Sequence, residues 1–305
     1  MVATKPLLIC VVGPTAMGKT NLAIEIAKVF FTEIISADSR QFYKELNIGT
    51  AVPLNKELSS IPHHFIHDRS IFEDYNVGEF EKDALNILDK LFKKNKVVVL
   101  VGGSGLYIDA VVKGLDFFPE IHSDIREKLN TEFEEFGIEA LQKELQEIDP
   151  LYNKEVDIQN HHRLIRAIEI YRATGIPYSS FLKKNKEKRF FNTLFIGLTA
   201  EREIIYTRIN KRVDIMIREG LIEEAQNLHP YKNINALQTV GYKELFRYFE
   251  NSITKEEAIE EIKKNTRRYA KRQGTWFRKN KKIYWFDYKT EVSEIIRFIK
   301  EKNAQ

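Results

Sequence analysis

Cysteine is almost absent from this chain of 305 residues, and the single Cys10 excludes a disulfide framework and any zinc site built on cysteine. Long apolar runs are absent too: nothing approaches the roughly 18 residues that a bilayer-spanning helix needs. The opening Met1–Pro6 has no signal-peptide layout, because the apolar run Leu7–Val12 is too short and leads straight into a glycine loop. Nor does one sign of charge dominate. The 48 Lys and Arg stand against 44 Asp and Glu, a net charge of +4, so where the charge sits matters more than its sum. There is no internal repeat and no low-complexity segment. What is present builds a core: 43% hydrophobic residues exclude a disordered tail or a coiled rod. The expectation is a soluble, cytoplasmic, globular protein of one large or two modest domains, with no membrane partner. With no heptad seam and no spare apolar helix face, a monomer is expected.

The first third alternates strand and helix signals. Leu7–Val12, Glu33–Ala37 and Val97–Val101 are short apolar runs of the kind that form strands buried on both faces. Asn21–Phe31 and Phe80–Lys94 place apolar residues at helical spacing between them. That order predicts a parallel sheet covered on both sides. From Leu115 to Lys188 the periodicity is helical, with Ile125–Phe136, Ile138–Glu147 and His161–Thr174 as the candidates, the last closed by Gly175 and Pro177. The charge-rich Lys183–Arg189 then separates this block from Asn192–Leu198, which reads as a strand returning to the sheet. Long helices follow, then a last strand at Ile283–Phe286. The predicted fold class is α/β: a phosphate-loop (P-loop NTPase-like) parallel-sheet core, 1–114 and 190–305, with an all-helical insertion at 115–189.

Gly13-Pro14-Thr15-Ala16-Met17-Gly18-Lys19-Thr20 matches G-x-x-x-x-G-K-[ST], with a strand before it and a helix after it. Such a loop turns its backbone N–H groups toward phosphate oxygens. Lys19 adds a point charge, Thr20 is placed to hold Mg²⁺, and the helix N-terminus favours the anion. Enzymes that hydrolyse nucleoside triphosphates usually carry an aspartate at the end of a second strand. Here Val97–Val101 ends instead in Gly102-Gly103-Ser104. The strand-end carboxylate is Asp38, after Glu33–Ala37, and it should share a crevice with Lys19 and Ser104. Asp38 fits three roles at this stage: general base, metal ligand or helix cap.

Ile262–Lys282 contains ten Lys or Arg and no Asp or Glu. In a helix, Lys264, Arg267, Arg268, Lys271 and Arg272 share one face, while Ile262, Tyr269 and Trp276 fall on the other. An unmixed basic stripe fits a polyanion better than an ordinary solvated face, which intersperses Glu with Lys. Arg163 with Arg166 and Arg208 with Arg212 are further basic pairs one turn apart. Basic surfaces on both parts of the chain suit a structured nucleic acid better than a small metabolite. His63, His64 and His67 cluster in sequence, but no H-E-x-x-H or cysteine partner accompanies them, so packing around the crevice is the expected role. His161 and His162 open a helix and are expected to face substrate.

The ordered series Gly13–Thr20, Asp38–Tyr43, Asn47–Ala51, Pro62–His64, Gly102–Ser104, His162–Glu169, Val240–Lys243 and Thr266–Gln273 resembles the motif series of bacterial tRNA dimethylallyltransferases. The resemblance runs from the first strand to the last. It departs at Met17, where the family commonly has Ser, and at Ser104, where it commonly has Thr. The single cysteine leaves no zinc finger of the kind that eukaryotic members carry.

The resemblance implies transfer of a dimethylallyl group from dimethylallyl diphosphate to N6 of adenine 37 in tRNA, with Mg²⁺ as cofactor. It implies catalytic roles for Asp38, Lys19, Thr20, Ser104 and Arg212, with Asp38 as general base. The anticodon stem-loop is expected to meet Asp38, Ser39, Arg40, Gln41, Ser104, Arg126, His162, Arg163, Leu164, Ile165 and Arg166. Further contacts are expected from Gln238, Lys243, Arg267, Arg268, Lys271, Arg272 and Gln273. Two rivals share the phosphate loop: a prenyltransferase acting on free AMP, ADP or ATP, and a small-molecule kinase. The first has no need of the basic stripe, and the second lacks its strand-end carboxylate after Val97–Val101. An RNA-binding protein with a relic loop is a third alternative, disfavoured by the intact Lys19, Thr20 and Asp38.

Overall fold

The apolar run Leu7–Val12 forms β1, the strand around which the sheet is organised. Its side chains alternate: Leu8, Cys10 and Val12 enter one interior, Ile9 and Val11 the other. Burial on both faces is why its sequence shows no polar alternation. The computed structural model describes residues 5–182 and 188–303. Lys183–Glu187, most of the charged separator, lies outside them, as does the opening tetrapeptide.

After β1 come α1 (Lys19–Phe30), β2 (Ile34–Ser36), α2 (Asn55–Leu58), β3 (His63–His64), α3 (Val77–Phe92), β4 (Val97–Val101) and α4 (Gly105–Lys113). The chain then makes α5 (Ser123–Ile148), α6 (Pro150–Glu155) and α7 (His161–Thr174) before returning as β5 (Asn192–Thr199). It finishes with α8 (Arg202–Arg218), α9 (Leu221–Leu228), α10 (Tyr242–Phe249), α11 (Lys255–Arg278), β6 (Ile283–Asp287) and α12 (Val292–Asn303). The strands pair in parallel in the order β3-β2-β4-β1-β5-β6. One face of the sheet is closed by Phe80 and Leu88 of α3, Ile108 of α4 and Ile262 of α11. The other is closed by Leu22 and Ile26 of α1, Ile209 of α8 and Ile299 of α12. Because β4 lies between β2 and β1, the segments that leave their carboxyl ends emerge side by side, where open parallel sheets bind ligands.

By internal contacts the chain divides into Met1–Lys113 with Arg189–Gln305, and Gly114–Lys188. The second unit has helices and no strand among its described residues and closes over Leu129, Leu141, Leu145, Leu164 and Ile168. The two helices expected at Ile125–Phe136 and Ile138–Glu147 form one element, α5, broken at Gly137, whose φ of +75° leaves the helical region. β3 has no counterpart in the sequence reading. Two residues carry no periodicity, and its strand character comes only from pairing with Ile34 and Ile35. Among the described residues no helix is long and apolar enough to cross a membrane.

Candidate active site

The phosphate loop leaves β1 so tightly that Gly13 adopts φ +135°, and a side chain there would collide with the Leu198 carbonyl of β5. After β4, Gly102 packs against the Ala37 carbonyl so closely that no Cβ fits between them. The absent side chain at Gly102 lets the segment after β2, which carries Asp38, approach the end of β4.

A cavity of about 430 Å³ opens at this edge of the sheet. Thr15–Asn21 of the loop and α1, Asp38 and Gln41, the Asn47–Leu54 segment, and Arg212, Ile215 and Met216 of α8 line it. Lys19 donates from Nζ to the Pro14 carbonyl at 2.7 Å. Arg212 donates to Thr15 Oγ1 at 3.2 Å, and Arg208 donates from Nε to the Ala16 carbonyl at 2.7 Å. Three cations therefore brace one loop. Burial, with Arg212 adding like charge and Asp38 opposing, lowers the Lys19 pKa to about 7. Burial and then Arg208 lower that of Arg212. Cations whose charge is disfavoured by burial and by a neighbouring guanidinium, Arg212 beside Lys19 and Arg208 beside Arg212, mark a site arranged for an anion. Asp38 moves the opposite way. Burial raises its pKa, against the pull of the Arg40 N–H, Lys19 and Arg40, while its Oδ1 accepts from that N–H at 3.1 Å.

Ser104 is set one layer behind the cavity. Its hydroxyl accepts from the Ser39 N–H at 3.1 Å and donates to Ser39 Oγ at 3.2 Å, so it fixes the residue after Asp38. Tyr269, assigned to the apolar face of the basic helix from its spacing, instead lines the cavity and hydrogen-bonds to Ser104 and Gln273. Burial and then the Asp38 carboxylate push its phenol up to about 12.

Several residues expected to contact tRNA are committed elsewhere. Gln273 is buried: its Oε1 accepts the Thr15 N–H at 2.9 Å and its Nε2 donates to the Gly103 carbonyl at 3.1 Å. It ties the phosphate loop to the end of β4. Replacement by alanine leaves the buried Gly103 carbonyl and the part-buried Thr15 N–H without this partner, so a loss of about 1–3 kcal/mol in unfolding free energy, read by urea titration, is expected. Gln41 donates to the Thr50 and Ala51 carbonyls and accepts from Ser36, shaping the cavity wall. Leu164 and Ile165 lie in the interior of the helical unit, at 0% and 2% exposure, and reach no external partner. Arg267 turns toward α8, donating to Asn210 and lying over Tyr206. Gln238 donates to the Lys232 carbonyl while staying exposed. By contrast, Lys243, Arg268, Lys271 and Arg272 are exposed.

Glu224 carried no signal in the sequence. Its carboxylate accepts from the N–H groups of Ile48 and Gly49 at 2.8 and 2.9 Å, from that of Asn47 at 3.3 Å, and from Tyr242 Oη at 2.6 Å. Tyr242 is fully buried beneath Gly49. The Val240–Lys243 motif therefore props a wall of the cavity, and only its Lys243 faces solvent. His63, His64 and His67 each take a separate partner, the Ile61 carbonyl, Glu33 and the Leu46 carbonyl. Among the described residues no group of three or more His, Cys, Asp or Glu is placed to hold a metal.

In the helical unit, His162 and Arg163 are exposed at the start of α7. Arg126 and Arg166 converge on the buried carboxylate of Glu169, and Arg166 also lies over the Phe118 ring. Their guanidinium groups are fixed by Glu169 and remain half-exposed.

The family model described as IPP transferase matches residues 41–280. The chain is 55% identical to the tRNA dimethylallyltransferase of Flavobacterium psychrophilum, over 97% of this chain and 98% of that one. It is 58% identical to that of Christiangramia forsetii over the same shares. The fold is similar to the tRNA isopentenylpyrophosphate transferase of Bacillus halodurans, with a TM-score of 0.73 at 38% identity over 98% of this chain and 97% of that one. A eukaryotic dimethylallyltransferase acting on tRNA gives a TM-score of 0.77 at 27% identity, over 95% of this chain and 75% of that one. With its phosphate loop, its strand-end Asp38 and relatives more than half identical along almost its whole length, the chain belongs to the IPP transferase family.

Proposed function

We propose that this chain transfers the dimethylallyl group of dimethylallyl diphosphate to N6 of adenine 37 in tRNA, releasing diphosphate. The convergence of Asp38, Lys19 and Arg212 on one cavity, in a chain of this family, supports it most directly. The exocyclic amine is a weak nucleophile because its lone pair is delocalised into the ring. As the N6–C1 bond forms and the C1–O bond breaks, Asp38 accepts the amine proton. Lys19, Arg212 and the loop N–H groups meet the charge that grows on the departing diphosphate. Positive charge spreads over the allylic carbons, so stabilising the leaving anion dominates the barrier.

Magnesium fits the donor set: it is commonly held by one or two protein oxygens together with substrate phosphates, and Thr20 offers a hydroxyl in the cavity beside Lys19. When bound, the ion neutralises diphosphate charge. Adenine 37 must leave its stack to reach Asp38, at a cost of a few kcal/mol. Ser39 and Arg40, with His162, Arg163, Arg126 and Arg166 of the helical unit, would grip the anticodon loop. Lys271 and Arg272 would take backbone phosphates. Replacing both by alanine should weaken tRNA binding and reduce the slope of log affinity against log salt by about two units. Fluorescence anisotropy over a salt series measures it, and an unchanged slope removes both from the interface.

Incubation with radiolabelled dimethylallyl diphosphate, Mg²⁺ and either unmodified tRNA or AMP tests the reaction. Label entering tRNA, and lost when adenine 37 is replaced, is the expected result. Label entering AMP instead would keep the chemistry and overturn the acceptor.

A further inference from the structure

A second crevice opens beside the phosphate loop, at Pro14. It consists of two cavities of about 240 and 180 Å³ that share Pro14, Gly274 and Arg278. Among the described residues its charged lining is Arg202, Lys271 and Arg278, with no carboxylate. Among the described residues, neither Lys271 nor Arg278 makes an ion pair. The guanidinium of Arg278 lies over Gly274, where a Cβ would come within 3.3 Å of Nη2. A glycine inside a helix costs about 1 kcal/mol relative to alanine, and this one keeps space beneath an uncommitted cation. Planar groups complete the walls. Trp285 lines one cavity, and Tyr206 lines the other with the Arg202 guanidinium 5.1 Å from its ring centre.

Cations without counter-charges, aromatic planes and a partly apolar lining are together complementary to a phosphate joined to a planar base. We infer that this crevice holds one unpaired nucleotide of the RNA substrate, a position other than adenine 37. The inference rests on the tRNA reaction proposed above. Pro14 connects the two sites: it lines the crevice, and its carbonyl takes the Lys19 ammonium. A nucleotide seated there would press on the loop that holds the diphosphate.

The test is a cycle of binding measurements on fluorescent anticodon stem-loops, each carrying one abasic nucleotide at an unpaired loop position other than 37. Each is titrated against wild type and Arg278→Ala. Arg278 is exposed, so the variant should fold, and a thermal melt checks that it does. At one position the missing base should weaken wild-type binding about ten-fold and the Arg278→Ala protein by no more than about two-fold, so that the losses fail to add. Additive losses at every position would overturn the inference. So would competition by free uridine 5′-monophosphate that depends on Arg278 while the abasic losses add, since the crevice would then serve a free nucleotide. Transfer of labelled dimethylallyl to the intact stem-loop, run in parallel, reports on the reaction separately from the binding cycle.

Discussion

Asp38→Ala should lower turnover at least about 100-fold while leaving tRNA affinity nearly unchanged, the span that a positioned base contributes to proton transfer. The carboxylate sits in the cavity with Lys19 and Arg212, and its Oδ1 is oriented by the Arg40 N–H. Removing it takes away the proton acceptor and leaves the anion-binding groups in place. Asp38→Asn sharpens the test, because it keeps the shape and removes the basicity. The pH dependence has a definite sign. A base works ionised, and burial raises the pKa of Asp38, so the acid limb of kcat/KM should lie above the ordinary carboxylate value of about 4. Below that limb the rate should fall about ten-fold per pH unit, and in Asp38→Asn the limb should vanish. Unchanged turnover in either variant, with stopped-flow chemistry as the readout, would remove Asp38 from the role.

Lys19→Met should cost about 10²–10³-fold in kcat/KM for dimethylallyl diphosphate without lowering the melting temperature of the ligand-free protein. The two effects share a cause. The ammonium is buried beside another cation, and both circumstances disfavour its charge until an anion arrives. Removing it forfeits one hydrogen bond to the Pro14 carbonyl and relieves the repulsion from Arg212. Differential scanning fluorimetry with and without diphosphate reads both sides. Wild type should gain a ligand-induced rise that the variant lacks. A variant that melts well below wild type without ligand would show that Lys19 is structural.

Much of this architecture was legible in the sequence because burial on both faces leaves an unmistakable run. Leu7–Val12 and Val97–Val101 are strands in both descriptions, and the glycine spacing of the phosphate loop announces the loop itself. The site was legible where a residue type is chemically demanding, as with Lys19 and Asp38. It was illegible where function runs through the protein's own backbone. Gln273 in a basic motif reads as a nucleic-acid contact, yet its amide is consumed by Thr15 and Gly103. Leu164 and Ile165 lie inside a motif beside exposed Arg163, and only packing separates the residues that face inward from those that face out. Glu224 has no motif at all, because apart from Tyr242 its partners are backbone N–H groups, which carry no residue identity.

The bracing of the phosphate loop also bears on when the enzyme becomes competent during synthesis. Lys19 and Asp38 leave the ribosome among the first forty residues, but the side chains that hold the phosphate loop from outside come much later. Arg208, Arg212 and Gln273 reach it from positions 192, 197 and 258 residues downstream. β5, which pairs with β1 at the centre of the sheet, begins only at Asn192. Contacts so distant in sequence form last and slowly. A nascent chain carrying all of its catalytic groups would therefore be unable to bind diphosphate productively until α11 has emerged, and a chain truncated before Gln273 should remain inert.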